Sequence, residues 1–574
     1  MKKIFILFLF IVNSSFSFAP VTSHDLFSST DYPQGYFRDP LGIPIQLAAN
    51  FGELRSNHFH MGFDIRTRQR ENLPVYAAAE GYVSKIKIEK LGFGHAIYIN
   101  HPNGYTTLYA HLNNFYDTLN RYVKDKQYAT RQWEQEIDFE PNQFRVAKGQ
   151  LIAYSGNTGG SEGPHLHFEI RDTKTGNNLN PWLFGFGLTD KMPPSIYRLY
   201  FYDRRYTTYQ VKPSPISITG GSGKYTSAQD VVILSSPVVS FGISAEDKLN
   251  ISSFKYGIYE ALLTVDGTVQ SAFRLNDISY NDTRYVNGSI DYKTKESGGP
   301  YIQYLSKLPG NHSTIFSSAG DGKIVLTDSL IHNAQILVKD AAGNSSVLNF
   351  KFRWEPSQTN DFMFASNSAE MIPGRENVLK MDDIEADFSA RAFYDTVPFA
   401  YGAELSKDTR VISAIHHLNN YTVPVHDSFT VRIKAAAPVS NILKDRVVVQ
   451  LISNHKTETV KGQWKGDWME VKLRDLGIVK LLIDTIPPTV RLADWVNGVR
   501  VRNRNSISIA AGDNAGKVKS FEAFLDGNWL LFGRKENTFT YAFDERTAPG
   551  KHELTVAVED EAGNISERKY SFIR

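Results

Sequence analysis

Cysteine is absent from the 574 residues of this sequence. Its absence excludes disulfide bonds, thiolate nucleophiles and a lipid-modified cysteine at a mature N-terminus, and it leaves histidine and carboxylate side chains as the ligands for any metal ion. An excess of one charge is lacking as well, because 63 lysines and arginines against 61 aspartates and glutamates give a formal net charge of +2. A surface so nearly neutral does not favour nucleic acid as a partner.

Long hydrophobic runs are also scarce. Two lysines at the start precede an apolar run over residues 4–12, which is followed by small polar residues. This run is far shorter than the roughly 20 residues that cross a bilayer, and a charged start before a short apolar stretch is typical of a secretory signal. We therefore predict a signal peptide over residues 1–19, cut after Ala19 or alternatively near Ser17, and an exported protein without a retained membrane anchor.

The length of the chain predicts several domains, because a single hydrophobic core stops growing at roughly 250 to 300 residues. Residues 35–186 are rich in glycine, histidine and short β-like runs. Within them, two alternating apolar runs flank Asn103-Gly104, a dipeptide suited to a tight hairpin turn. This block predicts a first domain built on an antiparallel β-sheet.

The rest of the chain contains an internal repeat. The segment DKMPPSI at residues 190–196 recurs as DTIPPTV at 484–490, and VKDAAGNSS at 338–346 recurs as VEDEAGNIS at 558–566. Short strands separated by turn residues, with little helical periodicity, favour β-sandwiches. The prediction is an all-β protein with an immunoglobulin-like β-sandwich carrying insertions at 190–353, a β-rich module of unknown type at 356–483, and a second immunoglobulin-like β-sandwich at 484–574.

Histidines cluster in the predicted first domain, where seven of the 15 lie between residues 58 and 167. The pattern includes His60-x-x-x-Asp64 and His165-x-His167. A catalytic zinc ion takes three nitrogen or oxygen ligands and keeps a fourth position for water. His60, Asp64 and either member of the second pair supply such a set, and the remaining histidine together with His111 would be free to move protons.

Strand geometry supports this interpretation, because side chains two apart point to the same face of a sheet. His165, His167 and Glu169 therefore share one face, while the apolar residues between them face the core. A row of polar groups on one face of a buried strand is costly to leave without partners. The alternative is a solvent-exposed sheet face with two incidental histidines.

Five segments between residues 58 and 172, HFHMGFDI, PVYAAAEGYV, YAHL, VAKGQLIAYSGNTGGS and GPHLHFEIRD, resemble the lysostaphin and LytM-type zinc endopeptidases. The resemblance implies one Zn²⁺ per chain, held by His60, Asp64 and His167, with His111 and His165 as catalytic residues. It also implies a metalloendopeptidase that uses zinc-activated water to cut the peptide cross-links of bacterial peptidoglycan. All five residues are present, which argues against the interpretation that this chain is one of the inactive relatives that serve as binding or activator proteins.

The sequence departs from the family pattern in two places. Many relatives carry a tyrosine upstream of the first ligand, whereas the segment NFGELRSN at residues 50–57 has none. Arg55 or Asn57 could replace its hydroxyl, or both could be loop residues without a catalytic part. The connection between Leu112 and Val146 is enlarged. It either forms one side of the substrate groove and selects substrates, or is a solvent-exposed loop without a role in binding.

Four further residues have two interpretations each. Glu169 is a candidate hydrogen-bond partner that would fix the tautomer of a histidine ligand, or it forms a surface salt bridge. His58 forms an H-x-H pair with His60 and so competes with it on spacing, but only His60 stands four residues before an aspartate. His58, His95 and His101 are therefore better interpreted as ordinary surface or groove histidines.

The sequence as a whole predicts an exported zinc endopeptidase in the periplasm or cell envelope, with the outer surface or the extracellular space as further locations. Its partners would be peptidoglycan peptide stems and a cell-envelope protein bound through the C-terminal β modules. The alternative function is a non-catalytic cell-wall-binding or adhesion scaffold, in which the β-sandwich array is the working part and the first domain only docks on the wall.

Overall fold

A computed structural model describes residues 26–28, 30–250, 252–356, 369–501 and 503–574. The predicted signal peptide lies outside the described residues. Strands take up 45% of the chain and helices 6%, which confirms the predicted all-β class. Among the described residues, no helix is both long and apolar enough to cross a bilayer.

The first domain is a β-sheet structure with one long helix. In GYVSKIKI the buried Ile86 and Ile88 alternate with Lys85 and Lys87, and a register shift after Val83 places that residue on the same buried face. Its elements are β1 (Leu47–Ala49), β2 (Leu54–Arg55), β3 (His58–Phe59), β4 (Phe63–Arg66), β5 (Pro74–Tyr76), β6 (Gly81–Ile88), β7 (His95–Asn100), β8 (Tyr105–Ala110), β9 (Leu112–Phe115), α1 (Asp117–Thr130), β10 (Gln135–Asp138), β11 (Arg145–Val146), β12 (Leu151–Ser155), β13 (His165–Asp172), β14 (Asn178–Leu179) and a 3₁₀ helix (Pro181–Phe184).

The main sheet of this domain has the strand order β1-β4-β13-β8-β7-β6-β10, and these pairs are antiparallel. A smaller sheet, β5-β12-β9, packs with it around a core that includes Phe63, Ile97, Ile152 and Phe168. The strands β4, β13 and β8 are therefore central neighbours, and side chains at their ends are held by pairing on both sides.

The enlarged connection contains α1, which the sequence analysis missed. Leu119 and Val123 are buried on one side of this helix. On the other side Lys124 Nζ lies 2.6 Å from Asp544 Oδ2, and the ring of Tyr128 meets the last domain. Neither predicted role fits this segment, because the helix contributes no side chain to the cavity at the histidine cluster and instead contacts the far end of the chain.

Two sheets form the second domain. In it the order is β16-β15-β20-β24 for one sheet and β17-β18-β27-β26-β21-β22 for the other. Its elements are β15 (Ser195–Asp203), β16 (Ser214–Ile216), β17 (Ile218–Gly221), β18 (Lys224–Ser227), β19 (Val232–Leu234), β20 (Val238–Glu246), β21 (Glu260–Val265), β22 (Thr268–Arg274), β23 (Asp277–Ile278), a 3₁₀ helix (Thr283–Gly288), α2 (Tyr292–Glu296), β24 (Gln303–Tyr304), β25 (Ile324–Val325), β26 (His332–Lys339) and β27 (Ser345–Trp354).

Two further sandwiches follow. The third domain has two five-stranded sheets, and the fourth has two four-stranded sheets. Their elements are β28 (Ala369–Met371), β29 (Asn377–Lys380), β30 (Ile384–Phe388), β31 (Val397–Phe399), β32 (Tyr401–Glu404), β33 (Ile415–Leu418), β34 (Phe429–Lys434), α3 (Asn441–Lys444), β35 (Val447–Ser453), β36 (Lys456–Val460), β37 (Gln463–Lys465), β38 (Trp468–Leu473), β39 (Gly477–Ile483), β40 (Thr489–Leu492), β41 (Ser506–Gly512), β42 (Val518–Leu525), β43 (Asn528–Trp529), β44 (Gly533–Lys535), β45 (Thr538–Ala542), β46 (Lys551–Asp560) and β47 (Ile565–Ile573).

The first and second domains are joined by more than a linker. Strand β14 of the first pairs with β23 of the second. Phe51, Phe59 and Met61, which precede β4 in the chain, belong to the hydrophobic core of the second domain. The predicted domain boundaries stay predictions, because strands and core are shared across the first of them.

Candidate functional site

Sheet register brings the predicted ligands together. In the pairing of β13 with β4, His167 lies directly opposite Asp64, and in the pairing of β13 with β8 it lies opposite Ala110, the residue before His111. His60 reaches the same place because the chain between it and β4 passes very close to β13. A Cβ on Gly62 would lie 2.4 Å from the carbonyl oxygen of Phe168, so only glycine permits this approach.

Three donor atoms converge at this point. His60 Nε2 lies 3.0 Å from Asp64 Oδ1 and 3.1 Å from His167 Nδ1, and the latter two atoms are 2.9 Å apart. All three residues are buried, with 5 to 7% of their surface exposed. One nitrogen from each ring and one carboxylate oxygen therefore surround a common centre.

The outward-facing nitrogens of both rings have partners that fix their tautomers. His60 Nδ1 lies 2.7 Å from the carbonyl oxygen of Asn50, and His167 Nε2 lies 3.0 Å from the carboxylate of Glu169. Because a carbonyl or an ionised carboxylate can only accept a hydrogen bond, each of these nitrogens carries the proton. In the neutral rings the lone pairs then lie on the inward-facing nitrogens.

Asp64 is held as an anion. Burial by itself would raise the pKa of its carboxyl, but His60, His165 and His167 together keep that pKa well below its usual value. Its second oxygen, Oδ2, accepts a hydrogen bond of 3.2 Å from the guanidinium of Arg55. Arg55, which the sequence left between two roles, thus orients the candidate ligand.

This donor set fits a zinc ion. Two imidazole lone pairs and a carboxylate oxygen at mutual distances near 3 Å repel one another unless a proton or a cation lies among them, and two nitrogens with one oxygen are a common catalytic zinc set. Burial lowers the pKa of His167, yet its contacts with Asp64 and Glu169 outweigh burial and raise that pKa to about 9. The two carboxylates thus favour positive charge at this ring, and a divalent ion would replace the proton.

His111 and His165 face the same centre from the other side. Their rings lie 4.7 Å apart, and His165 Nε2 is 3.3 Å from Asp64 Oδ1. The Nδ1–H of His111 donates to the carbonyl of Thr158 at 2.8 Å, and that of His165 to the carbonyl of Gly163 at 2.8 Å. Burial and then the neighbouring histidines lower the pKa of His111 to about 3, so its Nε2 is a free acceptor at neutral pH.

Glu169 is a buried partner of the site and not a surface residue. None of its side chain is exposed, and its Oε2 accepts a 2.7 Å hydrogen bond from Arg171 Nε. Burial opposes its charge, but Arg171, followed by His167 and Tyr280, holds its pKa at about 2. The carboxylate is therefore ionised and locks the ring of His167.

Tyr280 completes this arrangement from the second domain. Its hydroxyl donates a 2.6 Å hydrogen bond to Glu169 Oε1, and its ring lies 4.7 Å from the guanidinium of Arg171. The sequence analysis missed Tyr280, because a lone tyrosine in a predicted separate domain carries no motif. A residue of the second domain thus helps to fix the carboxylate of Glu169, which in turn orients the candidate ligand His167.

The Tyr280→Phe variant removes this hydroxyl and leaves the ring in place. A hydrogen bond to a charged group contributes about 1.5 to 3 kcal/mol, so we expect a loss of that size in the free energy of unfolding of the metal-free protein. Urea unfolding measures it. Tyr122→Phe, at a tyrosine of α1 whose ring packs against Phe139 and Phe144, is the control, and an equal loss in both variants would contradict a role for the hydroxyl at Glu169.

The other three histidines lie outside the cluster. His58 is exposed and lines the same cavity, whereas His95 packs between the rings of Phe115 and Trp133. The prediction that His101 is a surface or groove residue is wrong. This histidine is only 6% exposed, and its Nε2 lies 2.8 Å from Thr107 Oγ1. The candidate cluster itself opens into a cavity of about 1090 Å³, large enough for a peptide segment.

Comparison with known families agrees with the predicted resemblance. Residues 58–132 and 134–181 match Peptidase family M23, so the predicted likeness to LytM-type and lysostaphin-like peptidases is confirmed. Residues 369–484 match the Zu5-like domain, which gives a type to the β-rich module that the sequence analysis left without one.

Individual relatives match the first domain. The DD-carboxypeptidase/endopeptidase Mpg of Neisseria meningitidis serogroup B is 34% identical over 152 residues, which are 26% of this chain and 28% of that protein. The peptidoglycan DD-endopeptidase ShyC of Vibrio cholerae serotype O1 is 34% identical over 97 residues, 17% of each chain. The catalytic domain of the antimicrobial peptidase lysostaphin from Staphylococcus simulans is 23% identical, with 26% of this chain and 92% of that chain covered and a TM-score of 0.16. The matched segment thus spans little more than a quarter of the first relative.

Proposed function

We propose that the M23-type domain of this chain is a zinc endopeptidase that hydrolyses peptide cross-links of bacterial peptidoglycan. His60, Asp64 and His167 hold the zinc ion, and His111 and His165 act on the substrate. The observation that carries the proposal is the convergence of the three donor atoms within 3.1 Å of one another. The relatives named as peptidoglycan DD-endopeptidases support the substrate class.

Zinc, when bound to this set, supplies a water of lowered pKa and a positive charge that polarises a carbonyl. The chain itself supplies the proton transfers. His111 and His165 both have Nδ1 occupied by a backbone carbonyl, so each presents Nε2 to the cavity. As a neutral ring either one accepts a proton at Nε2 from attacking water, and as a charged ring it donates that proton to the departing amine.

Rigid support makes this arrangement suitable for catalysis. Asp64 and His167 are a cross-strand pair in the centre of a sheet, and each has a second partner, Arg55 or Glu169, that fixes its orientation. Groups that need no rearrangement during the reaction stabilise developing charge at low cost. The five side chains thus have the pre-organisation that a hydrolase needs.

The proposal is tested on purified peptidoglycan with the full mature chain. We expect soluble peptide fragments to appear, release to stop after treatment with a chelator, and release to resume when Zn²⁺ is added back. Mass spectrometry of the fragments identifies the bond that is cut, and metal analysis should find about one zinc per chain.

A wall-binding scaffold gives a different result in the same experiment. The chain would then sediment with peptidoglycan but release no fragments above the untreated wall, with or without Zn²⁺. Fragment release that is unaffected by chelator would contradict the role of the metal. The proposal includes export to the periplasm or cell envelope, because peptidoglycan lies outside the cytoplasm.

A further inference from the structure

The two immunoglobulin-like domains share more than the sequence repeat. In each, one aspartate lies five residues before the first strand, one directly follows a later strand (β20 or β41), and one lies two residues before the AGN tripeptide. The structure brings each set together, so that one carboxylate oxygen from each member lies within 4.8 Å of the others. The first triad is Asp190, Asp247 and Asp340, and the second is Asp484, Asp513 and Asp560.

The first triad surrounds a small space. Asp190, Asp247 and Asp340 all line a cavity of about 10 Å³, which is room for about one water-sized particle. Asp247 and Asp340 are 4% and 3% exposed. Among the described residues, no lysine or arginine forms an ion pair with any of the three, so three buried or half-buried carboxyl groups share one space without a counter-charge.

Two oxygens in this space lack hydrogen-bond partners. Asp247 Oδ1 and Asp190 Oδ2 are buried and accept no hydrogen bond within the described part of the chain. An unsatisfied buried carboxylate oxygen is costly. Burial, and after it the charges of Asp340 and Asp190, raises the pKa of Asp247 to about 8. The first triad therefore requires either protons or a cation.

The other oxygens are oriented by backbone and amide donors. Met192 N donates to Asp190 Oδ1 at 3.0 Å, and the amide of Asn344 donates to Asp340 through its backbone and side chain at 2.9 and 2.8 Å. These contacts leave a lone pair on each carboxylate for a further partner. The triad is thus a set of fixed acceptors and not a flexible acidic surface.

The second triad repeats this arrangement. Ile486 N donates to Asp484 Oδ1 at 3.1 Å, and Asn564 donates to Asp560 through its backbone and side chain at 2.8 and 2.9 Å. Asp513 Oδ1 is buried without a hydrogen-bond partner, as Asp247 Oδ1 is. Because an oxygen without a hydrogen-bond partner occurs at the equivalent aspartate of both domains, local packing in one domain does not explain it.

We propose that each triad is a calcium site, one in each immunoglobulin-like domain. The donors are oxygens only, which suits a hard cation and does not suit the nitrogen and sulfur preferences of zinc. Calcium takes six to eight oxygen ligands in flexible geometry, whereas magnesium demands a near-ideal octahedron and usually keeps several waters. The cavity at the first triad has room for about one water-sized particle, which suits a calcium ion held directly by carboxylates better than a hydrated magnesium ion.

The first calcium site is connected to the candidate zinc centre through a series of hydrogen bonds. Asp247 exchanges backbone hydrogen bonds of 2.9 and 3.0 Å with Tyr256, whose hydroxyl donates to the carbonyl of Leu47. The following Gly257 binds the side chain of Asn50, and the carbonyl of Asn50 accepts from His60. An ion at this triad would therefore hold the second domain against the segment that orients a zinc ligand.

Radioactive Ca²⁺ in equilibrium dialysis tests the proposal on the full chain, with a low concentration of Zn²⁺ present so that the peptidase site stays filled. We expect two Ca²⁺ per chain, one in Asp247→Asn or in Asp513→Asn, and none in the double variant. Asp230→Asn, whose side chain is 92% exposed, is the matched control and should bind two. No bound Ca²⁺, or full binding by the double variant, would overturn the proposal.

Melting curves give a second measurement that does not depend on peptidase activity. Saturating Ca²⁺ should raise the first melting temperature of the unmodified chain by roughly 5 °C. Asn at position 247 relieves repulsion but weakens the ion site, so the Asp247→Asn variant should melt above the unmodified chain without Ca²⁺ and below it with Ca²⁺. A variant that shifts in the same direction under both conditions, or an equal rise with Mg²⁺, would overturn the assignment to calcium. Asp190→Asn, at a half-buried position, repeats the test if Asp247→Asn fails to fold.

Discussion

His167→Ala is expected to abolish the release of peptides from peptidoglycan and to lower the zinc content from about one per chain to near zero. The substitution removes one of three ligands and also disconnects Glu169 from the centre. Loss of one hydrogen-bond donor to a developing oxyanion costs about 10²- to 10³-fold in rate. Loss of the metal removes both the activated water and the polarising charge, so kcat/KM should fall by more than about 10³-fold.

His58→Ala is the matched control for this experiment. His58 lines the same cavity and is two residues from His60, but its Nδ1 contacts the carbonyl of Ser56 and none of the three donor atoms. We expect its zinc content and rate to stay near those of the unmodified chain. If His167→Ala kept its zinc and more than a tenth of the activity while His58→Ala lost both, His58 would replace His167 in the ligand set.

Glu169→Gln is expected to destabilise the protein by about 3 to 5 kcal/mol, because it leaves the buried guanidinium of Arg171 without a counter-charge. The amide also binds His167 Nε2–H more weakly, so zinc affinity should fall about 10- to 100-fold. Urea unfolding of the metal-free protein and competition with a zinc chelator measure the two effects. Glu136→Gln, at a side chain that is 55% exposed and paired with Lys85, should change stability by less than about 0.5 kcal/mol.

The pH dependence of this effect has a definite sign. Since the folded protein lowers the pKa of Glu169 from 4.5 to about 2, the carboxylate contributes its full stabilisation above about pH 5 and loses it as the pH falls toward 2. The difference in unfolding free energy between the unmodified chain and Glu169→Gln should shrink across that window. A difference that stays constant down to pH 2 would show that the charge of Glu169 is not what stabilises the fold.

Much of the candidate site could be predicted from local patterns. Alternation in β13 was sufficient to place His165, His167 and Glu169 on one face, because the two-residue period of a strand does not depend on tertiary structure. The spacing of His60 and Asp64 and the family resemblance supplied the rest of the set. The structure brings all five predicted side chains to one cavity, and their roles as ligands and catalytic residues stay predictions until metal and activity are measured.

What the sequence did not reveal depends on contacts between distant segments. Tyr280 reaches Glu169 only because the second domain packs on the first, and no local signal marks that contact. The helix α1 was missed because its apolar positions are few, and its partners Asp544 and Trp529 lie at the other end of the chain. Hydrophobic periodicity and residue composition predict single helices and strands. They do not predict these contacts, which depend on how whole domains pack against one another.

The shared core between the first two domains limits how the first domain could be transferred between proteins during evolution. Phe51, Phe59 and Met61 are 1 to 3% exposed only because the neighbouring sandwich covers them. A gene fragment that ended at residue 186 would encode a domain with these side chains in water, at about 1.5 to 3 kcal/mol each, and without Tyr280. Recombination that moves this domain into another gene therefore has to carry the sandwich with it, so the two are expected to be inherited as one piece.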